Sequence, residues 1–276
     1  MFKSWKETIL KEYPRLTPES KFKFNCHKGL SCFTQCCANV NIFLTPYDVL
    51  RMRKALNLSS EEFLNKYTFT PFIDDQKIPL VLLRMQDNDQ ETCPLITSNG
   101  CSIYEDRPWS CRMFPLGMAS AKTAEQPDGL EFCFIVEEGF SCLGFNEDKE
   151  WTVAEWMKDQ EIDLYDKKCE PYKEITLHKQ LREGKELGTA KSHVFYITLY
   201  DLDRFRRLVL ESTFLHRFDI SEELVEKIKV DDEELLNFGY DWLKFSLFGE
   251  DTIKIKGEVL EEKKKELSKS NNEESS

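Results

Sequence analysis

The chain has 276 residues, 41% of them hydrophobic and 32% charged, and a formal net charge of −12 at pH 7. That length suits one large domain or two small ones around a sizeable core. The acidic balance repels phosphate backbones and anionic lipid, which argues against nucleic acid and membrane as partners, and no apolar run approaches a membrane span. The opening Met1-Phe-Lys-Ser-Trp-Lys-Glu has neither the apolar stretch nor the cleavage site of a signal peptide. The reading is a cytoplasmic protein, in a compartment where thiols stay reduced.

Residues 1–25 predict a short amphipathic helix and an extended approach, in which Lys21-Phe-Lys-Phe alternates as a strand does. Residues 40–44 are a short β-like run. Thr45 as cap, Pro46 at the first helical position and Asp48 in the first turn start a helix that reaches about Leu56. Ser59 and Glu62 have capping-box spacing, and so do Thr152 and Glu155, which open a helix running through Gln160. Residues 78–85 and 130–136 read as strands, residues 87–90 as a turn and residues 119–129 as a polar loop. Beyond them, residues 195–199 read as a short strand. Residues 201–214 read as a helix with Leu202, Phe205, Leu208 and Val209 on one stripe. Residues 221–228 and 232–247 are further helices, and from Val259 the chain turns to Glu, Lys, Ser and Asn, a flexible charged tail. There is no internal repeat of fixed period.

The ten cysteines are not scattered: nine lie between Cys26 and Cys142, and Cys169 stands alone. The first segment is Cys26-His-Lys-Gly-Leu-Ser-Cys32-Phe-Thr-Gln-Cys36-Cys37. The second is Cys93-Pro-Leu-Ile followed by Cys101-Ser-Ile-Tyr-Glu-Asp-Arg-Pro-Trp-Ser-Cys111-Arg-Met-Phe-Pro, and Cys142 follows in Ser-Cys-Leu-Gly-Phe. Several thiolates within short loops suit a soft metal or a cluster. No Cys-x2-Cys pair of the structural zinc kind occurs, and the common ferredoxin spacings are absent as well. The spacing identifies a thiolate-rich site and leaves the metal open: one four-iron cluster with spare ligands, two clusters, or two zinc ions.

The run from Cys101 to Pro115, with the Cys36-Cys37 pair and Cys93-Pro-Leu, resembles the YkgJ-type cysteine-cluster family over roughly residues 24–145. The resemblance implies a zinc- or iron-chelating domain, often an iron–sulfur protein. It also implies that Cys26, Cys32, Cys36, Cys37, Cys93, Cys101 and Cys111 fall on the family's cysteine positions, with Cys142 similar to a final one. The spacing Cys26-x5-Cys32-x3-Cys36 is longer than the compact form of the family. The same arrangement occurs in flagellin lysine N-methylases, but nothing else in the chain resembles those enzymes.

Cys133, between Phe132 and Phe134, reads as a core thiol on a strand, and Cys169 as a surface or loop cysteine. His27 adjoins Cys26 and reads as exposed rather than ligating; His178, His193 and His216 read as structural. Arg107 and Arg112 are candidates to orient a substrate or to hydrogen-bond cluster sulfurs, but read first as buried ion-pair partners of Glu105 or Asp106 that hold the ligand loops. Tyr104, Trp109, Phe114 and Phe33 are candidates to shield a cluster or to fill the core.

The organisation expected is α+β, helix- and loop-rich: a cysteine-ligated metal-binding domain over residues 1–145, a mainly helical part packed on it over 146–258, and a tail over 259–276. The leading function is an iron–sulfur protein, holding a 4Fe-4S cluster through the eight family-position cysteines and serving a redox or protein partner in electron transfer or redox sensing. Zinc as a structural metal in an interaction module is the alternative, followed by a metal-dependent group-transfer enzyme. Iron–sulfur leads because cysteines far outnumber histidines and no zinc knuckle occurs.

Overall fold

Three helices in residues 45–160 begin where a side chain accepts the amide protons that a first helical turn leaves unpaired. Thr45 caps α1 (Pro46–Ala55) by accepting from the Asp48 amide, and Asp48 accepts in return from the Thr45 amide at 2.8 Å. Asp48 thus completes a capping box. Ser59 and Glu62 start α2 (Ser60–Tyr67) in the same way. After the short α3 (Trp109–Met113), Thr152 and Glu155 repeat the device at α4 (Val153–Asp159). These are local interactions, and they stand where the sequence placed them.

The computed structural model describes residues 14–71, 78–120, 131–136 and 142–261. The helix expected near the N-terminus, most of the polar loop over 119–129 and most of the tail lie outside these residues. The strands among them form two-stranded antiparallel pairs. Lys21–Lys23 pairs with Glu150–Thr152, and Leu116–Ser120 pairs with Glu131–Ile135. The strand expected over 78–85 is shorter: only Leu82–Leu83 pairs, with Thr68–Phe69, and Pro79 has no amide to give a ladder. Residues 40–44 join it through one bridge, Phe43 to Leu82, and through the Leu44 and Leu83 amides, which donate to Val81 and Ile42. The fold class is α+β with helix predominant, and no helix among the described residues is long and apolar enough to cross a membrane.

The chain divides into two compact units, residues 1–184 and 185–276. The first continues through α5 (Ile162–Thr176) and α6 (Lys179–Arg182). Its core gathers Phe24, Met113, Leu116, Cys133, Val153, Trp156 and Ile162.

The second unit comprises α7 (Gly188–Leu199), α8 (Leu202–Glu211), α9 (Phe214–Arg217), α10 (Glu222–Val230) and α11 (Asp232–Leu243), the last continuing as a widened turn over Lys244–Phe248 that Gly249 ends at φ 77°. Residues 195–199 are not a strand but the end of α7. Phe195, Ile197, Thr198 and Leu199 are all buried, and a helix covered on every side reads as a continuous apolar run rather than as a period of 3.6. On α8 the expected stripe holds for Leu202, Phe205 and Val209, whereas Leu208 is 40% exposed.

Candidate metal centre

An aromatic core gathers three of the cysteine segments. Phe24, two residues before Cys26, meets Trp156 edge-on with centroids 5.4 Å apart. It also meets Phe114, three residues after Cys111, at 6.0 Å, and Phe145, three residues after Cys142, at 5.3 Å. Gly144 permits this: a Cβ there would stand 2.9 Å from the Phe24 ring. The Asn25 amide donates to the Gly144 carbonyl at 3.0 Å, and the Trp151 indole donates to the Phe24 carbonyl at 2.9 Å. Burial of these rings draws the ends of the segments together.

Backbone hydrogen bonds bring in the rest. The Cys93 amide donates to the Cys37 carbonyl at 2.7 Å, beside a bridge between Ala38 and Thr92. Ile96–Thr97 and Gly100–Cys101 form a tight hairpin, with Ile96 opposite Cys101. Gly100 adopts φ +102°, and the Phe33 ring lies 3.1 Å from where its Cβ would be, so both the conformation and the close approach call for glycine. Lys28 donates to Asn99 at 2.9 Å across the same junction.

The loop from Cys101 to Cys111 is clamped by its arginines, though not as ion pairs with Glu105 or Asp106. Arg107, 8% exposed, donates to the Tyr104 carbonyl at 2.8 Å and to the Gln160 side chain, and lies over the Tyr104 ring at 3.7 Å. Arg112 donates to the carbonyls of Arg107, Glu105 and Gln160, reaches Glu161 at 3.4 Å, and covers the Tyr165 ring at 4.5 Å. Asp106 pairs instead with Arg51 at 2.6 Å. Carbonyls satisfy a buried guanidinium's fork without burying a second charge. The sequence reading missed two residues of this frame. Buried Asp48 accepts from the Trp109 amide at 2.9 Å and so joins the starts of α1 and α3. Gln160 receives both arginines. Asp48 signalled itself only as a first-turn acid, and Gln160 not at all.

No disulfide joins any of the ten cysteines; of the eight at family positions, Cys26 is exposed, Cys32 buried and the others half-buried. Although Cys26 is exposed as a residue, partial desolvation of its sulfur, reinforced by Cys36, Cys142 and Cys32, pushes the thiol up to about 11. Burial raises Cys142, against the Gly144 amide and with Cys32 and Cys36 adding to it. Cys37 is raised first by its contact with Cys36, whose sulfur is 4.0 Å away, then by burial and by Cys111 and Cys93. Burial is also the leading cause for Cys93 and Cys101, where the amides of Leu95 and Ile103 oppose it. For Cys111, burial is followed by Cys93 and Cys101, with Arg107 opposing. Crowded, desolvated sulfurs resist ionising together; a bound cation reverses that preference and takes them as thiolates. The donor set therefore fits a thiophilic metal. The sulfurs are grouped rather than closed: among the described residues no three His, Cys, Asp or Glu side chains surround space for an ion.

Cys133 lies buried on a strand opposite Met118, as expected of a core thiol. Cys169 is not at the surface: it is 5% exposed on α5, packs with Tyr47 and Tyr165 and donates to the Thr45 hydroxyl at 3.4 Å, and burial pushes it up to about 12. His27 is exposed, as expected; it caps the Gly29 amide at 3.1 Å and faces Glu147 at 3.3 Å. Tyr104 is 54% exposed, whereas Phe33, Trp109 and Phe114 are half-buried.

The family CxxCxxCC, described as a putative zinc- or iron-chelating domain, matches residues 25–170, more than half of the chain. No curated protein and no solved structure matches.

Proposed function

The chain belongs to the CxxCxxCC family of zinc- or iron-chelating domains, and from that premise we propose that it holds an iron–sulfur cluster, of the 4Fe-4S kind, and works in electron transfer or redox sensing. The observation that carries this reading is the all-sulfur donor set. Cys26, Cys32, Cys36, Cys37, Cys93, Cys101, Cys111 and Cys142 lie on segments that converge, while the nearby His27 is exposed and engaged with Glu147. Thiolate-only sites suit iron–sulfur clusters and zinc, and half-buried aromatics beside the sulfurs limit water as a cluster requires.

The chemistry the cluster would supply is the uptake and release of one electron. The chain's residues would hold it, shield it and present it. The electron comes from a reduced donor protein and passes to an oxidised acceptor, with no bond made or broken at the protein. The acidic surface favours such a protein partner over nucleic acid or membrane, and a thiolate site of this kind suits a reducing compartment such as the cytoplasm.

The test is anaerobic purification of the full chain without a metal-affinity column, followed by metal analysis, acid-labile sulfide analysis and a visible spectrum. Iron and sulfide in matched amounts, with absorption in the blue, are expected. Stoichiometric zinc in a colourless sample overturns the iron–sulfur reading and leaves a chelating domain with a structural or Lewis-acid metal.

A further inference from the structure

We propose that the eight thiols form two separate four-thiolate sites, an outer one of Cys26, Cys32, Cys36 and Cys142 and an inner one of Cys37, Cys93, Cys101 and Cys111, with the adjacent pair Cys36-Cys37 divided between them. The inference rests on the reading that these thiols hold metal, and not on the metal being iron.

The outer group is joined by contacts from two distant segments. The Leu143 amide, next to Cys142, donates to the Cys32 sulfur at 3.3 Å. The Asn25 amide, next to Cys26, donates to Gly144 at 3.0 Å. Cys26 feels Cys36, Cys142 and Cys32, and Cys142 feels Cys32 and Cys36. The inner group has its own connections. The Cys93 amide donates to the Cys37 carbonyl at 2.7 Å, the Ile96 amide to the Cys93 carbonyl at 3.2 Å and the Ser102 amide to the Leu95 carbonyl at 2.9 Å, which holds Cys93 and Cys101 on the two arms of one hairpin. Cys37 feels Cys36 first, across the contact where the two groups touch, and after it Cys111 and Cys93; Cys111 feels Cys93 and Cys101. The groups meet at the single turn Gln35–Cys37, entered through Thr34 at φ 71°. There, consecutive residues carry sulfurs 4.0 Å apart; Cys36 acts on Cys26 and Cys142, whereas Cys111 and Cys93 act on Cys37.

The surroundings differ as well. Arg107 stands near Cys101 and Cys111 and favours their thiolate forms. The outer group contains exposed Cys26, whose chain neighbour His27 faces Glu147. Four thiolates are a full shell for zinc and for an iron–sulfur cluster alike, so eight fill two shells with none left over. Closing each shell about its metal completes the fold of its loops.

Native mass spectrometry of the anaerobically purified full chain counts the load: two zinc ions or two clusters per chain are expected, and a single site overturns the proposal. Graded stripping of that protein (a chelator for zinc, a chelator with ferricyanide for iron), with pulse alkylation and peptide mapping, reads the partition without any variant. Cys26, Cys32, Cys36 and Cys142 should label together and first, and the other four as a later set. Release of all eight in one step, or in mixed sets, overturns it. Cys36→Ser and Cys37→Ser, one residue apart, should each halve the metal content while exposing opposite sets. Loss of all metal in both, with the helical circular dichroism kept, overturns it too. Sulfide analysis separates these outcomes from failure of the iron reading: zinc in two sites sinks that reading alone, and iron in one site sinks the partition alone.

Discussion

The two compact units are held together by different means. Residues 185–261 contain no cysteine and bury Phe195, Leu199, Phe205, Val209, Leu235 and Leu243 completely or nearly so. Rings from successive elements meet there: Phe205 stacks on Phe238 at 6.0 Å, and Phe214 meets Trp242 at 4.9 Å. In the first unit the cysteine-bearing stretches, residues 25–44 and 84–108, consist of single turns, bends and one two-residue hairpin. A two-stranded hairpin alone is marginally stable in water, and within these stretches no helix longer than a single turn and no broad sheet forms. The aromatic core fixes their ends; the sulfurs must fix their middles. Both units have an apolar core, and the first adds to its own core, which holds Met52, Phe63, Met113 and Ile162, a set of cysteine-bearing loops whose order we attribute to what the thiols bind.

The strongest way to break this comparison is to remove the metal. Structural metal binding is worth roughly 10 kcal/mol or more of folding free energy in small thiolate sites. Stripping the full chain should therefore abolish hydrogen-exchange protection at the Cys93, Ile96 and Ser102 amides, while α7, α8 and α11 keep theirs. Equal loss in both units, or in neither, would end the contrast.

Phe205→Ala tests the opposite arm. Phe205 is fully buried on α8 and lies between Phe238 and Gly239, where a Cβ would come within 3.3 Å of its ring. The substitution should cost about 3–5 kcal/mol, read as lost protection across α7, α8 and α11, with metal content unchanged. A variant that loses its metal would show that the cysteine loops depend on this core after all.

What the sequence made legible follows the same divide between local and distant causes. The capping boxes at Thr45, Ser59 and Thr152 need only residues three apart, so the sequence shows where those helices begin. Cys133 was placed by its neighbours Phe132 and Phe134. Cys169 was misplaced because its surroundings, Tyr47 and Thr45, lie more than a hundred residues away. The arginines were assigned to nearby acids, yet Gln160, about fifty residues on, takes both. The end of α7 read as a strand because burial on all sides erases helical periodicity. The cysteine spacings announced a thiolate site and the number of its candidate ligands. How those thiols divide depends on which loops meet, and Cys36 and Cys37 are indistinguishable to any argument from spacing.

The smallest expected effect sharpens the comparison from inside the first unit. Thr152→Ala removes the acceptor of the Glu155 amide, now at 3.1 Å, and the hydroxyl donor to Glu155, but leaves the Thr152 amide donating to that carboxylate at 2.8 Å. Losing such a cap costs about 1 kcal/mol. Glu155 is held below its ordinary value by the Thr152 amide first and the hydroxyl second. A carboxyl depressed by folding contributes stability above its unfolded value, and that contribution disappears as pH falls through the folded one. The variant should therefore show a smaller acid-side loss of α4 protection below the usual carboxylate range, reduced but not abolished because the amide bond survives. α4 carries Trp156 into the ring cluster that gathers the Cys26, Cys111 and Cys142 segments, yet the cap acts only on the first turn. Metal content should stay at the wild-type value. A fall in metal content with so small a change in stability would mean that the thiol loops depend on the aromatic core as closely as α8 depends on its own.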